Sequence, residues 1–141
     1  MAAPRPAHAP AERTVLVVDD SAFMRRLVRE LVESEPGFRV VGTAADGMAA
    51  LEQIHRLEPD LVTLDVEMPG LDGLQVLGYV MSETPRPVVM LSAGETGPTM
   101  RALELGAVDF VRKPSGPISL DLAVVRERLV QALRAATHAN L

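Results

Sequence analysis

From Arg13 onward, short runs of β-branched and other apolar residues alternate five times with stretches whose apolar positions recur at helical spacing. The first run, Thr14 to Val18, is almost continuously apolar, the pattern of a strand covered on both faces. The segment after it carries Phe23, Met24, Leu27, Val28, Leu31 and Val32 on one helical face, with Arg25, Arg26, Arg29 and Glu30 opposite. Pro36 and Gly37 turn the chain into a second strand, Phe38 to Gly42. Asp46 is placed to N-cap a helix with Ala50, Leu51, Ile54 and Leu57 on its apolar face, and Pro59 ends it. Leu61 to Leu64 is the third strand, followed by a loop and a helix through Leu74, Leu77 and Val80. Pro87 to Leu91 is the fourth strand, and a helix around Pro98 to Leu105 ends at Gly106, a residue suited to a left-handed C′ position. Val108 to Val111 is the fifth strand, and the last helix carries Leu122, Val125, Leu129 and Leu133.

Strands alternating with helices predict a parallel sheet with helices on both faces, most economically an open, doubly wound α/β domain. At 141 residues the chain holds one such domain. Residues 1–12, rich in Ala and Pro, have no periodicity and are expected to be a flexible leader; 13–136 form the domain and 137–141 a tail or the start of a linker. A hydrophobic fraction of 48% with 23% charged residues is the balance of a globular chain. No apolar run approaches the ~18 residues that span a bilayer, and the first residues contain no secretory signal, so a cytoplasmic location is expected, away from membranes. The net charge of −5, without a basic run, argues against nucleic acid as a partner. The absence of cysteine excludes disulfides and thiolate metal sites.

In a doubly wound sheet, ligands bind beyond the carboxyl ends of the strands. Asp19 and Asp20 follow the first strand, Asp65 the third and Ser92 the fourth; Lys113, the single lysine beside 13 arginines, follows the fifth after Arg112. Capping alone accounts for Asp20, Ser21 or Ser92 taken singly, but not for Asp65 before a loop or for the lone lysine at this edge. Two carboxylates ~4 Å apart repel by about 4 kcal/mol at an effective dielectric near 20, a cost that a divalent cation removes. Mg²⁺ suits such a site, since it takes one or two carboxylates and keeps waters that phosphate oxygens can replace. Asp65 is then the best nucleophile toward phosphorus, with Asp19 and Asp20 at the metal, Lys113 as the cation and Ser92 as a hydroxyl for a phosphoryl oxygen. His8, His55 and His138 are scattered, and Met48, Met81, Met90 and Met100 are expected in the core or on helix faces.

The segments Val-Leu-Val-Val-Asp-Asp-Ser, Leu-Asp-Val-Glu-Met-Pro-Gly-Leu-Asp-Gly, Val-Met-Leu-Ser-Ala and Phe-Val-Arg-Lys-Pro, in this order and spacing, resemble the signature of response-regulator receiver domains. The resemblance covers about residues 13 to 136. It implies a flavodoxin-like (βα)5 sheet in the order 2-1-3-4-5, with Asp65 as phosphoacceptor and Asp19, Asp20 and Asp65 at Mg²⁺. It further implies a metal contact from the backbone carbonyl of Glu67, phosphoryl contacts from Ser92 and Lys113, an aromatic switch at Phe110 and a cis peptide between Lys113 and Pro114. By composition alone Phe110 reads as a buried strand residue. The implied phosphodonor is a histidine kinase.

Asp-Ser-Ala-Phe-Met-Arg-Arg, Thr-Leu-Asp-Val-Glu-Met-Pro and Lys-Pro-Ser-Gly with Ser-Leu-Asp further on are similar to the receivers of chemotaxis protein-glutamate methylesterases. That narrower resemblance implies regulation of a methylesterase domain in the same polypeptide. No Gly-x-Ser-x-Gly elbow occurs, so this chain is expected to catalyse only its own phosphorylation. A stand-alone receiver and a Mg²⁺-binding module without phosphotransfer are the alternatives. An aspartate phosphatase fits less well, because Glu67 stands where a second Asp is usual; FMN binding has only three Phe and one Tyr for stacking.

Overall fold

The computed structural model describes residues 12–93, 97–113 and 118–139. Its elements alternate without exception: β1 Arg13–Val18, α1 Ala22–Glu33, β2 Phe38–Ala44, α2 Gly47–Leu57, β3 Leu61–Asp65, α3 Gly73–Glu83, β4 Val88–Ser92, α4 Gly97–Glu104, β5 Asp109–Arg112 and α5 Ile118–Thr137. The five strands form one parallel sheet in the order β2-β1-β3-β4-β5. This is the flavodoxin-like order. Each strand lies within about two residues of its expected place. The expected leader lies almost wholly outside the described residues, as do residues 140 and 141 of the expected tail.

Strand alternation sorts the core into two layers. Val15, Val17, Leu61, Val89, Leu91 and Val111 turn to the face covered by α1 and α5. Leu16, Val18, Val62, Leu64, Val88 and Met90 turn to the face covered by α2, α3 and α4. With both faces buried, β3 and β4 need apolar residues at nearly every position, which explains how nearly continuous their apolar runs are. Thr63 interrupts the apolar run within β3, ahead of the terminal Asp65: its hydroxyl is fully buried and has no hydrogen-bond partner among the described residues.

Helix starts follow local chemistry. Ser21 caps α1 by accepting from the Met24 N–H at 3.2 Å, and Asp46 caps α2 by accepting from Ala49 N–H at 2.8 Å. Asp72 and Gln75 form a reciprocal capping box on α3. Gly106 (φ 108°) takes the left-handed turn expected after α4, whereas α2 ends on Glu58 in the same unfavourable region (φ 47°). At the edge of the sheet away from the strand carboxyl ends, Asp60 accepts from the N–H and hydroxyl of Thr14, and Arg86 donates to the carbonyls of Pro59 and Thr84. These bonds tie the loops at that edge together.

Two expectations about helix faces need correction. Phe23 is exposed rather than packed, because it sits near the start of its helix at the rim; Met48 and Met100 are exposed too, each on a helix, one of the two placements expected for them. Arg25 does not simply face solvent: its guanidinium turns back and donates to the Asp19 carbonyl at 2.8 Å. A long side chain can bury its stem while its head finds a polar partner.

Candidate functional site

The order of the strands reverses between β1 and β3, the place where ligands settle in this architecture. Asp19 and Asp20 follow β1 and Asp65 is the last residue of β3, so the three acids stand on neighbouring strands beside that crevice. Each can offer one oxygen such that all three oxygens lie within 4.8 Å of one another. Asp19 and Asp65 are buried, and Asp20 is exposed.

Lys113, just past β5, reaches back across β4 to meet them. Its Nζ lies 2.8 Å from Asp19 Oδ2 and 2.9 Å from Asp65 Oδ1, and the lysine side chain is only 10% exposed. Ser92 and β5 steady its root, since the Lys113 N–H donates to the Ser92 carbonyl at 2.9 Å. The Asp carboxylates are oriented from below as well: Asp19 Oδ1 accepts from Ser21 N–H at 2.9 Å and Asp65 Oδ1 from Glu67 N–H at 3.1 Å. Asp19 Oδ2 is within ion-pair range of Nζ. Even so, neither it nor Asp65 Oδ2 receives an aligned hydrogen bond.

These surroundings change proton affinity. Burial is the main reason that the Asp65 carboxyl is pushed from its ordinary 3.8 up to about 7; Lys113 opposes the rise, and Asp19 and Asp20 add to it. For Lys113, burial alone would disfavour the ammonium, but hydrogen bonds and charge from Asp19 and Asp65 outweigh it and hold its pKa above the usual value. The site therefore carries more negative charge than one lysine balances. A buried carboxylate oxygen without a donor, Asp65 Oδ2, in a set of three hard oxygen ligands whose charge one lysine does not balance, fits a divalent cation such as Mg²⁺.

Ser92, the last residue of β4, is fully buried, and its hydroxyl donates to Glu67 Oε1 at 2.5 Å. This contact assigns the Glu67 side chain a place that the sequence did not suggest, beyond the backbone carbonyl expected at a metal. Phe110 in β5 is half-buried and packs against the α2/α3/α4 layer, so it is less enclosed than its strand position implies. Pro114 lies outside the described residues, and with it the expected cis bond to Lys113. His55 and His138 are exposed and lie apart from the site; His8 lies outside the described residues. No helix among the described residues is long and apolar enough to cross a membrane.

An acid pair after the first strand, a buried aspartate ending the third, a hydroxyl ending the fourth and a lysine after the fifth define a receiver domain of the response-regulator type. The chain belongs to that family: the model of the response regulator receiver domain matches residues 15–125. Within it, the chain is similar to chemotaxis methylesterase receivers. It is 56% identical over 129 residues to a protein-glutamate methylesterase/protein-glutamine glutaminase of Symbiobacterium thermophilum, covering 89% of this chain and 36% of that protein. The counterpart in Halalkalibacterium halodurans is 49% identical, with 90% and 38% covered. The chain thus spans a little over a third of these relatives. The crystal structure of the response regulator domain of Thermotoga maritima CheB superposes with a TM-score of 0.84 at 43% identity, covering 92% of this chain and 99% of that one. A CheX–CheY–BeF3–Mg²⁺ complex from Borrelia burgdorferi matches at a TM-score of 0.76 and 32% identity, with 92% of each chain covered.

Proposed function

We propose that this receiver accepts a phosphoryl group from a histidine kinase onto Asp65, in a reaction that requires Mg²⁺. The observation that carries this reading is the Asp65 carboxylate itself: buried at a strand end, held by Lys113 through one oxygen and without a hydrogen-bond donor on the other. The unpartnered oxygen, Oδ2, is the natural nucleophile. It forms the new bond to phosphorus while the bond from phosphorus to the donor's histidine nitrogen breaks, and that nitrogen keeps the electron pair.

Asp19, Asp20, Asp65 and the Glu67 carbonyl are the residues that would hold Mg²⁺, and the ion would supply charge neutralisation between carboxylates and phosphoryl oxygens. Lys113 offers its ammonium to an equatorial phosphoryl oxygen, exchanging part of its present pairing with Asp65. Ser92 donates its hydroxyl to another, which requires it to release Glu67. The CheX–CheY–BeF3–Mg²⁺ complex of Borrelia burgdorferi, a similar structure that contains the ion, supports this assignment.

The added charge of about −2 at Asp65 would draw Ser92 inward and let Phe110 move into the space behind it, shifting the population of the α4, β5 and α5 surface. In the longer relatives the receiver accompanies a methylesterase, and regulation of such a domain is the output we assign to this one. Kinase partner and output both act in the cytoplasm in this reading. The test is intact mass after incubation with a small acyl phosphate, with and without Mg²⁺, on the native chain and on Asp65→Asn. A single adduct needing both the ion and Asp65 is expected. An adduct that survives Asp65→Asn, or none on folded native protein from either the small donor or a phosphorylated kinase, defeats the proposal.

A further inference from the structure

The start of α3 and the end of β3 touch at Gly73. A β-carbon built there would lie 2.1 Å from the Asp65 carbonyl oxygen, 2.7 Å from Val66 Cα and 2.9 Å from the Asp65 carbonyl carbon. Real β-carbons essentially never approach closer than 3.0 Å, and all three obstructing atoms are main chain, so no rotamer change relieves the overlap. Gly73 has no positive φ, so backbone conformation does not demand glycine at this position; space does. Its N–H also donates to the Val66 carbonyl at 2.9 Å, which draws the loop 66–72 shut at its base. The same loop is braced from its other side by Gly47, the first residue of α2. A β-carbon at Gly47 would meet Leu71 Cβ at 2.7 Å and Val76 Cγ2 at 2.8 Å.

We propose that Gly73 is a positioning residue for Asp65: its lack of a side chain sets the depth at which α3 meets the strand end, and so the place of the carboxylate between Asp19 and Lys113. The proposal rests on the reading of Asp65 as phosphoacceptor. Both sides of the contact are anchored. Val76, Leu77 and Val80 of α3 are fully buried, and the residue after Asp65 is held by the bond from Val66 N–H to the Leu91 carbonyl at 2.9 Å. A methyl group at position 73 must open the contact by about 1 Å, and a displacement of that size at a reacting group costs roughly 10²-fold in rate.

The experiment compares native protein with Gly73→Ala, Gly47→Ala and Gly78→Ala. Gly78 lies in the same helix with nothing within 4 Å of an added β-carbon, so it reports helix propensity alone. Two quantities are read on folded protein: the rate of phosphorylation by a small acyl phosphate, and the Asp65 ¹³Cγ resonance in metal-free protein. Gly73→Ala is expected to slow phosphorylation roughly 10²-fold and to move the Asp65 resonance, while Gly78→Ala changes neither. Gly47→Ala, which would press on Leu71 (Cβ at 2.7 Å, carbonyl oxygen at 3.0 Å) in the loop and not on Asp65 itself, should do the same to a smaller degree. It carries the test if Gly73→Ala does not fold. An unmoved Asp65 resonance in the folded variant overturns the proposal, whether or not the rate falls. Native protein that takes no phosphoryl group defeats the phosphoacceptor reading instead, and the resonance alone then decides whether Gly73 positions Asp65.

Discussion

Replacing Asp65 by asparagine removes a charge that the metal-free fold holds at a cost. The folded carboxyl has its pKa raised from 3.8 to about 7, chiefly by burial. Below about pH 4 the group is neutral in both folded and unfolded chains and contributes no difference. Between about 4 and 7 the folded state keeps a proton that the unfolded state has released, so stability falls as pH rises through this window. Above 7 the loss is complete. At about 1.4 kcal/mol per pKa unit the full loss is on the order of 4 kcal/mol. Asparagine, close in shape to the neutral acid, escapes it but gives Lys113 a poorer partner, so we expect a net gain of about 1–3 kcal/mol at pH 8. For a domain of this size that is a rise in Tm of roughly 3–10 °C. The assay is thermal unfolding of both proteins in EDTA at pH 5 and pH 8, repeated at pH 8 with Mg²⁺. The advantage of Asp65→Asn should grow from pH 5 to pH 8. It should shrink with Mg²⁺, since a ligand at 100 times its Kd stabilises the native chain by about 2.7 kcal/mol and the variant less. A variant less stable than native at pH 8 in EDTA, or an advantage equal at both pH values, refutes the reasoning.

The Thr63 hydroxyl is fully buried without a partner among the described residues, so Thr63→Val should stabilise by about 1 kcal/mol, read as a higher urea midpoint at unchanged slope. A lower midpoint would mean that the hydroxyl has a partner, such as a trapped water. Glu58 ends α2 at φ 47°, where a β-carbon costs about 1–2 kcal/mol; Glu58→Gly should therefore gain about 0.5–1 kcal/mol after its greater unfolded-state freedom is counted. Loss of stability in the same urea titration would show that the Glu58 side chain contributes more than its backbone costs. Glu67 holds the Ser92 hydroxyl and adds negative charge where a phosphoryl group would arrive. Repulsion of about 1 kcal/mol between a carboxylate and a dianion several ångströms apart in water predicts that Glu67→Ala takes phosphoryl from a small acyl phosphate a few-fold faster. A slower rate at equal Mg²⁺ occupancy would show that Glu67 assists the transfer.

Sheet and helices could be read from the chain because both faces of the sheet are covered: strands such as Val88 to Leu91 had to be apolar throughout, and the helices between them one-sided. Strand order was not in the periodicity; it came from the resemblance. Asp19, Asp65 and Lys113 were legible because polar residues at strand ends collect at one edge whatever the order. Three features were not. Arg25 lies on the polar side of its helix by spacing, and spacing says nothing of a guanidinium long enough to fold back onto the preceding loop. The bond between Glu67 and Ser92 joins the loop after β3 to the end of β4 and depends on a rotamer. The closeness of Gly73 to Asp65 depends on how two backbones approach, and a glycine in a loop motif reads first as a turn.

Lys113 sits at the far end of the chain from the acids it balances, and that has a bearing on synthesis. Asp19, Asp20 and Asp65 belong to the first three strands and the turns after them, so all three acids are synthesised before the lysine that pairs with two of them. A chain that stopped at β4 would have Arg25 for the Asp19 main-chain carbonyl but not the ammonium that pairs with the carboxylates of Asp19 and Asp65. The sheet is electrically unfinished until its last strand docks, so a pair of carboxylates that holds its lysine also reports that all five strands are in place.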